Sequence, residues 1–300
     1  MGSPKTWWQV TLTIQPDKAD AIALALETLG AIAITYRDAE DNPIFEPELD
    51  TTPLWKSTLI TGLFPSSTAN TDSGTFLVNS LRHQLNLSDS VSIDISELAD
   101  QGWTRSWLQY FKPMQFGQNL WIIPEGFEIP DPDANNLFLD PGLAFGTGTH
   151  PTTAMCLAWL DANPPINLNV LDFGCGSGIL TIAAAILNAK HIDAVDIDPQ
   201  AVIATIANAE KNNCRTIIHA CLPDELENRQ YDLVLANILA GPLTILASTL
   251  ASYCRQGGTL ILSGILAEQA DELKSAYIPW FNMEIMTQQD EWICLQCRRR

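Results

Sequence analysis

Basic residues are scarce in this chain. Its 300 residues contain 16 Lys and Arg against 35 Asp and Glu, so the formal net charge is −19. Phosphate backbones repel such a surface, which disfavours direct binding of nucleic acid and favours a basic protein partner. The same charge can also serve solubility alone, and the terminal run Arg298–Arg300 is too short to reverse the balance.

Long apolar runs and paired cysteine motifs are also lacking. No apolar run approaches the roughly 18 residues of a membrane-spanning helix, and the start, MGSPKTWWQV, lacks the apolar segment of a secretory signal. The seven cysteines are odd in number, and Cys294 and Cys297 form a lone C-x-x-C. A disulfide framework and a four-ligand metal site are therefore not expected. These absences favour a cytoplasmic protein with free thiols and no membrane partner.

The first hundred residues predict a small α+β domain. Apolar patterns of period 2 and period 3.6 alternate along residues 1–100, and the implied order βαββαβ is typical of a ferredoxin-like sandwich. Residues 101–114, which include WTRSWLQYFKPM, predict a linker helix that Pro113 ends. The aromatic stripe of this helix favours packing over a binding surface.

Residues 115–300 predict a second, larger domain. One strand is expected within QNLWIIPEG, and from residue 151 onward strands alternate with helices. The strand NLNVLDFG lacks polar alternation, as strands covered on both faces do. The alternation of strands and helices predicts a doubly wound α/β fold with a parallel sheet. The last strand is open to an antiparallel placement.

A glycine cluster, DFGCGSG at 172–178, follows the first strand of this repeat. Glycines permit positive φ and let a ligand approach the backbone. Ile179 stands where the dinucleotide fingerprint G-x-G-x-x-G requires its last glycine. No Lys-Ser/Thr pair follows the glycines, which excludes a Walker loop. The cluster therefore predicts a ligand turn that is not built for phosphate.

Two carboxylates flank this turn in the predicted sheet. Asp172 directly precedes the glycines, where it would repel a pyrophosphate but suit an ammonium or sulfonium group. Asp196 ends the next strand and can accept hydrogen bonds from both hydroxyls of a ribose. Together they indicate a nucleoside with positive charge and no phosphate, which S-adenosylmethionine fits. Asp198 is expected to cap the following helix.

Two further segments complete the predicted site. Asn237 in YDLVLANILAGPL can orient an amine through its amide, although a turn-forming Asn is the alternative. The stretch 139–153, LDPGLAFGTGTHPTT, is expected to form a lid and first wall, with Phe145 covering the sulfonium through a cation–π contact; the alternative is a helix-entry loop. His150 is a candidate proton acceptor, although a lone loop histidine is more often structural.

These motifs, in this order and after a small N-terminal domain, resemble the ribosomal protein L11 methyltransferases, the PrmA family. The glycine turn alone is common to class I methyltransferases, and AFGTGTHPTT and NILAGPL narrow the resemblance. It implies a seven-stranded Rossmann-like methyltransferase sheet and S-adenosylmethionine as cofactor. It also implies methylation of lysine side-chain amines and the N-terminal amine of that large-subunit ribosomal protein, with residues 1–100 as the substrate-recognition domain.

The resemblance also assigns individual residues. Carried over position by position, the cofactor contacts fall on Thr153, Gly174, Asp196 and Asn237, and Asn237 is also the candidate catalytic residue. The chemistry of the residues themselves adds Asp172, Gly176 and Phe145 to the cofactor set.

Three other interpretations of the function are compatible with the sequence. Ile179 and Asp172 argue against a dehydrogenase. An adenine-base methyltransferase is disfavoured because such enzymes typically carry Asp/Asn-Pro-Pro-aromatic where NILA stands here. A non-catalytic adaptor that keeps the fold is the third. Within the methyltransferases, the substrate could also be another protein, an RNA or a small amine.

Overall fold

The computed structural model describes residues 6–40, 42, 44, 51–65, 73–88, 91–99, 112–139 and 150–300. By its internal contacts the chain divides into two units, Met1–Ser106 and Trp107–Arg300. This division falls inside the segment 101–114 that the sequence predicts as a linker helix. Residues 101–111 of that helix lie outside the described residues.

The N-terminal unit is a four-stranded antiparallel sheet with two helices. Its elements are β1 (Thr6–Ile14), α1 (Ala19–Thr28), β2 (Ala33–Asp38), β3 (Thr58–Pro65), α2 (Ser73–Leu85) and β4 (Ile93–Ala99). The strand order is β2-β3-β1-β4, which confirms the predicted ferredoxin-like arrangement. Alternate residues of β1, Val10 and Leu12, are buried together with Leu26 of α1 and Leu81 of α2.

A small three-stranded sheet opens the second unit. Its strands are β5 (Met114–Phe116), β6 (Leu120–Ile123) and β7 (Asn135–Phe138), in that spatial order. The sequence predicted a strand only at β6. The four residues of β6, LWII, are all apolar, whereas the equally short strands β5 (MQF) and β7 (NNLF) contain polar residues that hide the apolar signal. Strand β7 leads toward the glycine-rich stretch, of which residues 140–149 lie outside the described residues.

The main sheet of the second unit has seven strands. Its elements in chain order are α3 (Pro151–Ala162), β8 (Asn169–Phe173), α4 (Ile179–Ile186), β9 (His191–Val195), α5 (Pro199–Lys211), β10 (Ile218–Cys221), β11 (Tyr231–Asn237), α6 (Ala240–Ile245), α7 (Ala247–Tyr253), β12 (Cys254–Leu266), α8 (Ala270–Tyr277), β13 (Phe281–Gln289) and β14 (Trp292–Arg299). The spatial order is β10-β9-β8-β11-β12-β14-β13, and β14 runs in the opposite direction to the other six strands. The predicted seven-stranded, doubly wound fold is confirmed, with its last strand antiparallel.

This strand order places the site. The chain moves outward from β8 to β9 and β10, then returns to the other side of β8 with β11. Ligands of open α/β sheets bind beyond the carboxyl ends of the strands at such a reversal. The predicted residues Asp172, Asp196 and Asn237 lie in or directly after β8, β9 and β11, at those carboxyl ends.

Both faces of the sheet are covered by apolar residues. In β8, Val170 packs into the core shared with α3 and α4, while its neighbour Leu171 packs into the core shared with α6, α7 and α8. This explains why the strand lacks polar alternation. One expectation needs correction: the helix predicted over 242–254 is split at Leu246, whose ψ of 2° departs from helical geometry.

One charged group interrupts the core of this sheet. Asp193 in β9 is 1% exposed and accepts hydrogen bonds from Arg229 Nε at 2.9 Å, Tyr231 Oη at 2.7 Å and His219 Nδ1 at 3.0 Å. Burial raises the pKa of Asp193, but these hydrogen bonds outweigh burial and leave its pKa lowered. The aspartate therefore remains charged and ties β9 to β10 and β11.

Three features are not found in the described ranges. No helix there is both long and apolar enough to cross a membrane. No group of three or more His, Cys, Asp or Glu is arranged there to hold a metal ion. The cysteines are free thiols, and the buried side chains of Cys294 and Cys297 in strand β14 belong to two different cores.

Candidate active site

The glycine turn between β8 and α4 depends on its glycines. Gly174, Gly176 and Gly178 have φ values of 84°, 54° and 80°, a region that side chains with a Cβ rarely adopt. A Cβ added at Gly174 would lie 2.3 Å from Cγ2 of Ile238, in the segment that follows β11. The turn is therefore in close contact with the residue next to Asn237.

Backbone hydrogen bonds fix this turn to the end of β9. The N–H groups of Gly174 and Cys175 both donate to the carbonyl of Val195, at 2.7 and 3.0 Å. The N–H of Gly176 donates to Oδ2 of Asp196 at 2.9 Å, and the N–H of Asp198 donates to Oδ1 of the same carboxylate at 3.0 Å. Each oxygen of Asp196 is thus oriented by one backbone N–H and has a further lone pair for a ligand.

Asp172 lies beneath the turn as a buried carboxylate. It is 1% exposed, and Oγ1 of Thr181 donates to its Oδ2 at 2.6 Å. Among the described residues, no group donates a hydrogen bond to Oδ1. Burial raises the pKa of Asp172 to about 6, the bond from Thr181 opposes this, and the charge of Asp196 adds to it. Two carboxylates that repel each other across a glycine turn create a negative potential, which favours a cation.

Asn237 and Thr153 are brought together although they are 84 residues apart in the chain. Nδ2 of Asn237 donates to Oγ1 of Thr153 at 3.1 Å. Thr153 is buried in the first turn of α3, and that turn is attached to β12 by a bond from Ser263 Oγ to the Thr152 carbonyl at 3.1 Å. The amide of Asn237 is therefore oriented, with its Oδ1 turned away from Thr153.

The structure gives His150 and Asp198 capping roles. The ring of His150 accepts the Thr152 N–H at the start of α3 and lies edge-on to Trp292, with centroids 4.9 Å apart. Burial lowers the pKa of His150, so its neutral form is favoured. Asp198 accepts the N–H of Gln200 at 2.9 Å, which confirms the predicted cap of α5.

The predicted site residues thus form two adjoining groups. Asp172, Gly174, Gly176 and Asp196 surround the glycine turn, and Asn237 with Thr153 lies beside it. Phe145, also predicted to contact the cofactor, lies outside the described residues.

Sequence reasoning missed several residues next to the turn. Ile197 is 84% exposed directly after Asp196, where a large apolar side chain can cover a flat base. Thr205 and Asn208 of α5 donate hydrogen bonds to the carbonyls of Gly176 and Ser177, at 3.2 and 2.9 Å. Asn in an Ala-rich helix is a usable signal, because Asn is a poor helix former.

Comparison with known proteins gives a consistent result. The family model described as ribosomal protein L11 methyltransferase (PrmA) matches residues 6–300. The ribosomal protein L11 methyltransferase of Pseudomonas aeruginosa is 49% identical over 98% of this chain and 99% of its own length. That of Marinobacter nauticus is 46% identical over the same shares.

A solved structure is also similar. The ribosomal protein L11 methylase from Lactobacillus delbrueckii subsp. bulgaricus matches with a TM-score of 0.57 at 32% identity, over 63% of this chain and 100% of that chain. The resemblance identified from the motifs is confirmed by a family model and by relatives that cover almost the full chain. This chain belongs to the ribosomal protein L11 methyltransferase (PrmA) family.

Proposed function

We propose that this protein transfers methyl groups from S-adenosylmethionine to lysine side-chain amines and the N-terminal amine of ribosomal protein L11. The observation that carries the proposal is the pair of carboxylates at the glycine turn. Asp172 is buried with Oδ1 unpartnered among the described residues, and Asp196 is oriented by two backbone N–H groups. Family membership supports methyl transfer as the reaction and ribosomal protein L11 as the substrate.

The residues at this edge of the sheet fit S-adenosylmethionine. Asp196 would accept the ribose hydroxyls, and the exposed side chain of Ile197 would lie against the adenine. Asp172 would favour the positive charge of the ligand from beneath the turn, and the positive φ of Gly174 and Gly176 allows close approach of the ligand to the backbone. When bound, the cofactor supplies a methyl group on a sulfonium, which a neutral amine can attack in line.

The acceptor amine must lose a proton before it can react. A free lysine has a pKa near 10.4, so only roughly one in two thousand is neutral at pH 7. Partial burial of the ammonium at the site lowers its pKa, and water can take the proton. Asn237 is not a base: its Nδ2 is engaged by Thr153, and its Oδ1 can accept an N–H of the amine and direct the nitrogen. Alignment of the nitrogen is thus the main contribution of these residues.

Charge supports a basic protein substrate. The net charge of −19 attracts a basic protein and repels nucleic acid, so L11 would be engaged as a protein rather than through RNA. We assign recognition of this substrate to residues 1–100, the ferredoxin-like unit, and catalysis to residues 115–300. The cytoplasm is the proposed location, because ribosomal proteins are available there.

The proposed function is tested by following the methyl group. The protein is incubated with methyl-labelled S-adenosylmethionine and ribosomal proteins that have not been methylated, and the labelled product is identified by mass spectrometry. Label on lysine and N-terminal amines of L11, absent with the Asp196→Ala variant, is the expected result. Label on RNA or on a small amine, or no label with the wild type, would contradict the proposal.

A further inference from the structure

Three polar side chains form one stripe on α5 and the C-cap residue that follows it. Thr205, Asn208 and Asn212 are three and four residues apart, so they share one face of the helix. Thr205 and Asn208 bond to backbone carbonyls of the glycine turn, and Asn212 bonds to the backbone at the end of β7. We propose that Asn208 and Asn212 are positioning residues for the cofactor site. They hold to one helix the glycine turn and the end of β7, which leads into the predicted first wall at 139–153; the inference rests on the proposed function.

Asn208 acts on the glycine turn. Its Nδ2 donates to the Ser177 carbonyl at 2.9 Å, while Oγ1 of Thr205 donates to the Gly176 carbonyl at 3.2 Å. These two bonds orient successive peptide groups of the turn. The same Gly176 residue donates its N–H to Asp196. The helix therefore controls the direction of the carboxylate through the turn, without touching it.

Asn212 acts on the end of β7. Its Oδ1 accepts the Phe138 N–H at 2.7 Å, and its Nδ2 donates to the Phe138 carbonyl at 2.7 Å. A neighbouring strand would satisfy Phe138 in the same way, and β7 is an edge strand on this side. Nδ2 also donates to the Asn208 carbonyl at 2.8 Å, so the clamp is tied to the helix turn that bears the other amide.

Only an amide can make these contacts at Asn212. The Phe138 backbone requires an acceptor and a donor on one short side chain, which Asp and Leu do not offer together. Asn208 stands within the Ala-rich helix sequence PQAVIATIANAEK, where Asn is a poorer helix former than Ala, and Asn212 follows directly as the C-cap of that helix. Their presence is explained by the two segments that they hold.

Isosteric variants separate positioning from general stability. Asn208→Asp and Asn212→Asp keep the shape but cannot donate to the Ser177 and Phe138 carbonyls. The matched control is Asn163→Asp at the end of α3, where Nδ2 donates to the Trp159 carbonyl at 3.0 Å. All three variants add the same charge, which by itself favours a cationic ligand. A loss of affinity therefore reports the lost donor.

The measurement is calorimetric titration with S-adenosylmethionine, with thermal unfolding in parallel. Asn208→Asp and Asn212→Asp should each weaken binding about tenfold, as expected for a lost hydrogen bond and a new repulsion. Asn163→Asp should leave affinity unchanged. The loss of affinity caused by Asn208→Asp should be smaller in an Asp196→Ala background, because the amide of Asn208 acts on that carboxylate through the turn.

The outcomes distinguish this inference from the proposed function. Wild-type protein that binds no S-adenosylmethionine would refute the proposed function itself. Wild-type binding with unchanged affinity in both variants, or an equal loss in Asn163→Asp, would overturn the positioning role. If Asn208→Asp lowers affinity by the same factor in the Asp196→Ala background as in the wild type, the positioning role of Asn208 is overturned. If an aspartate variant does not fold, Asn208→Ala and Asn212→Ala, which remove the amide without adding a charge, decide in its place.

Discussion

The backbone N–H of Gly176 donates a hydrogen bond to Oδ2 of Asp196 over 2.9 Å, and joins the turn after β8 to the end of β9. Two features that are twenty residues apart in the sequence thus form one rigid unit. A carboxylate oriented before the ligand arrives loses little freedom on binding, which is how a site gains affinity from a hydrogen bond.

Removing this carboxylate should abolish tight cofactor binding and leave the fold intact. Asp196→Ala loses two charge-assisted bonds to the ribose, so we expect S-adenosylmethionine to bind about 100-fold more weakly or worse. Asp196→Asn retains one acceptor oxygen, so its affinity for S-adenosylmethionine should lie between those of the wild type and Asp196→Ala. Calorimetry gives the affinities and far-UV circular dichroism the fold; unchanged affinity in the Ala variant would show that the ribose assignment is wrong.

Replacing Asp172 by Asn should stabilise the protein without ligand at pH 7.5. The pKa of Asp172 is about 6 in the folded protein against an ordinary 3.8, because burial disfavours its charge. Between these two pKa values the folded state binds more protons than the unfolded state. The free energy of unfolding therefore falls as the pH rises through this window, by about 3 kcal/mol in total. Asp172→Asn keeps an acceptor for Thr181 and removes this loss, and its melting-temperature advantage should grow from pH 4 to pH 6.

The same substitution should weaken cofactor binding. A cationic ligand prefers the ionised form of Asp172, so wild-type affinity for S-adenosylmethionine should rise as pH increases through about 6. The Asp172→Asn variant should bind more weakly at pH 7.5 and lose this rise. Calorimetric titration at several pH values checks both points, and a variant that binds as tightly as the wild type at pH 7.5 would exclude a role for this charge.

Replacing Asn237 by Ala should slow methyl transfer more than it weakens cofactor binding. The amide directs the acceptor nitrogen, and loss of this alignment should lower the single-turnover rate at saturating cofactor about tenfold or more. Thr153→Val is the companion variant. It removes the hydroxyl that accepts from Nδ2 of Asn237 and should lower the single-turnover rate at saturating cofactor by a smaller factor. An unchanged single-turnover rate in Asn237→Ala would refute its catalytic role.

The hydrogen-bonded cluster of Asp193, Arg229, Tyr231 and His219 should contribute to stability and not to cofactor binding. Arg229→Met removes the cation from a carboxylate that is 1% exposed, and we expect a loss of about 1–3 kcal/mol, because Arg229 itself is partly exposed. Since this cluster lies away from the carboxyl ends of the strands, cofactor affinity at a temperature where the variant is folded should not change. Urea unfolding measures the loss of stability, and calorimetric titration measures the cofactor affinity. Weaker cofactor binding by the folded variant would contradict this prediction.

Much of the larger unit could be predicted because its signals are local. Helix α3 has the bounds of the predicted segment PTTAMCLAWLDA, since Pro151 and the capping residue His150 mark its start. The glycine turn and the carboxylates were found from strand ends and side-chain chemistry alone.

What the sequence did not reveal depends on contacts between distant segments. The bond between Asn212 and Phe138 spans 74 residues, and the amide that makes it has no local pattern beyond its helix. Strand β7, to which Asn212 bonds, begins with two Asn and therefore lacks the apolar run by which β6 was recognised. The exposure of Ile197 is likewise set by the packing around the end of β9 rather than by its neighbours in sequence.

The central claim is that the edge of the sheet formed by the ends of β8, β9 and β11 binds a cationic nucleoside. A crystal structure of the protein soaked with S-adenosylmethionine tests it most directly. We predict ribose hydroxyls on the carboxylate of Asp196, the base against Ile197 and the sulfonium between the glycine turn and Asn237. Ligand density that is well ordered at any other place in the molecule would contradict the account.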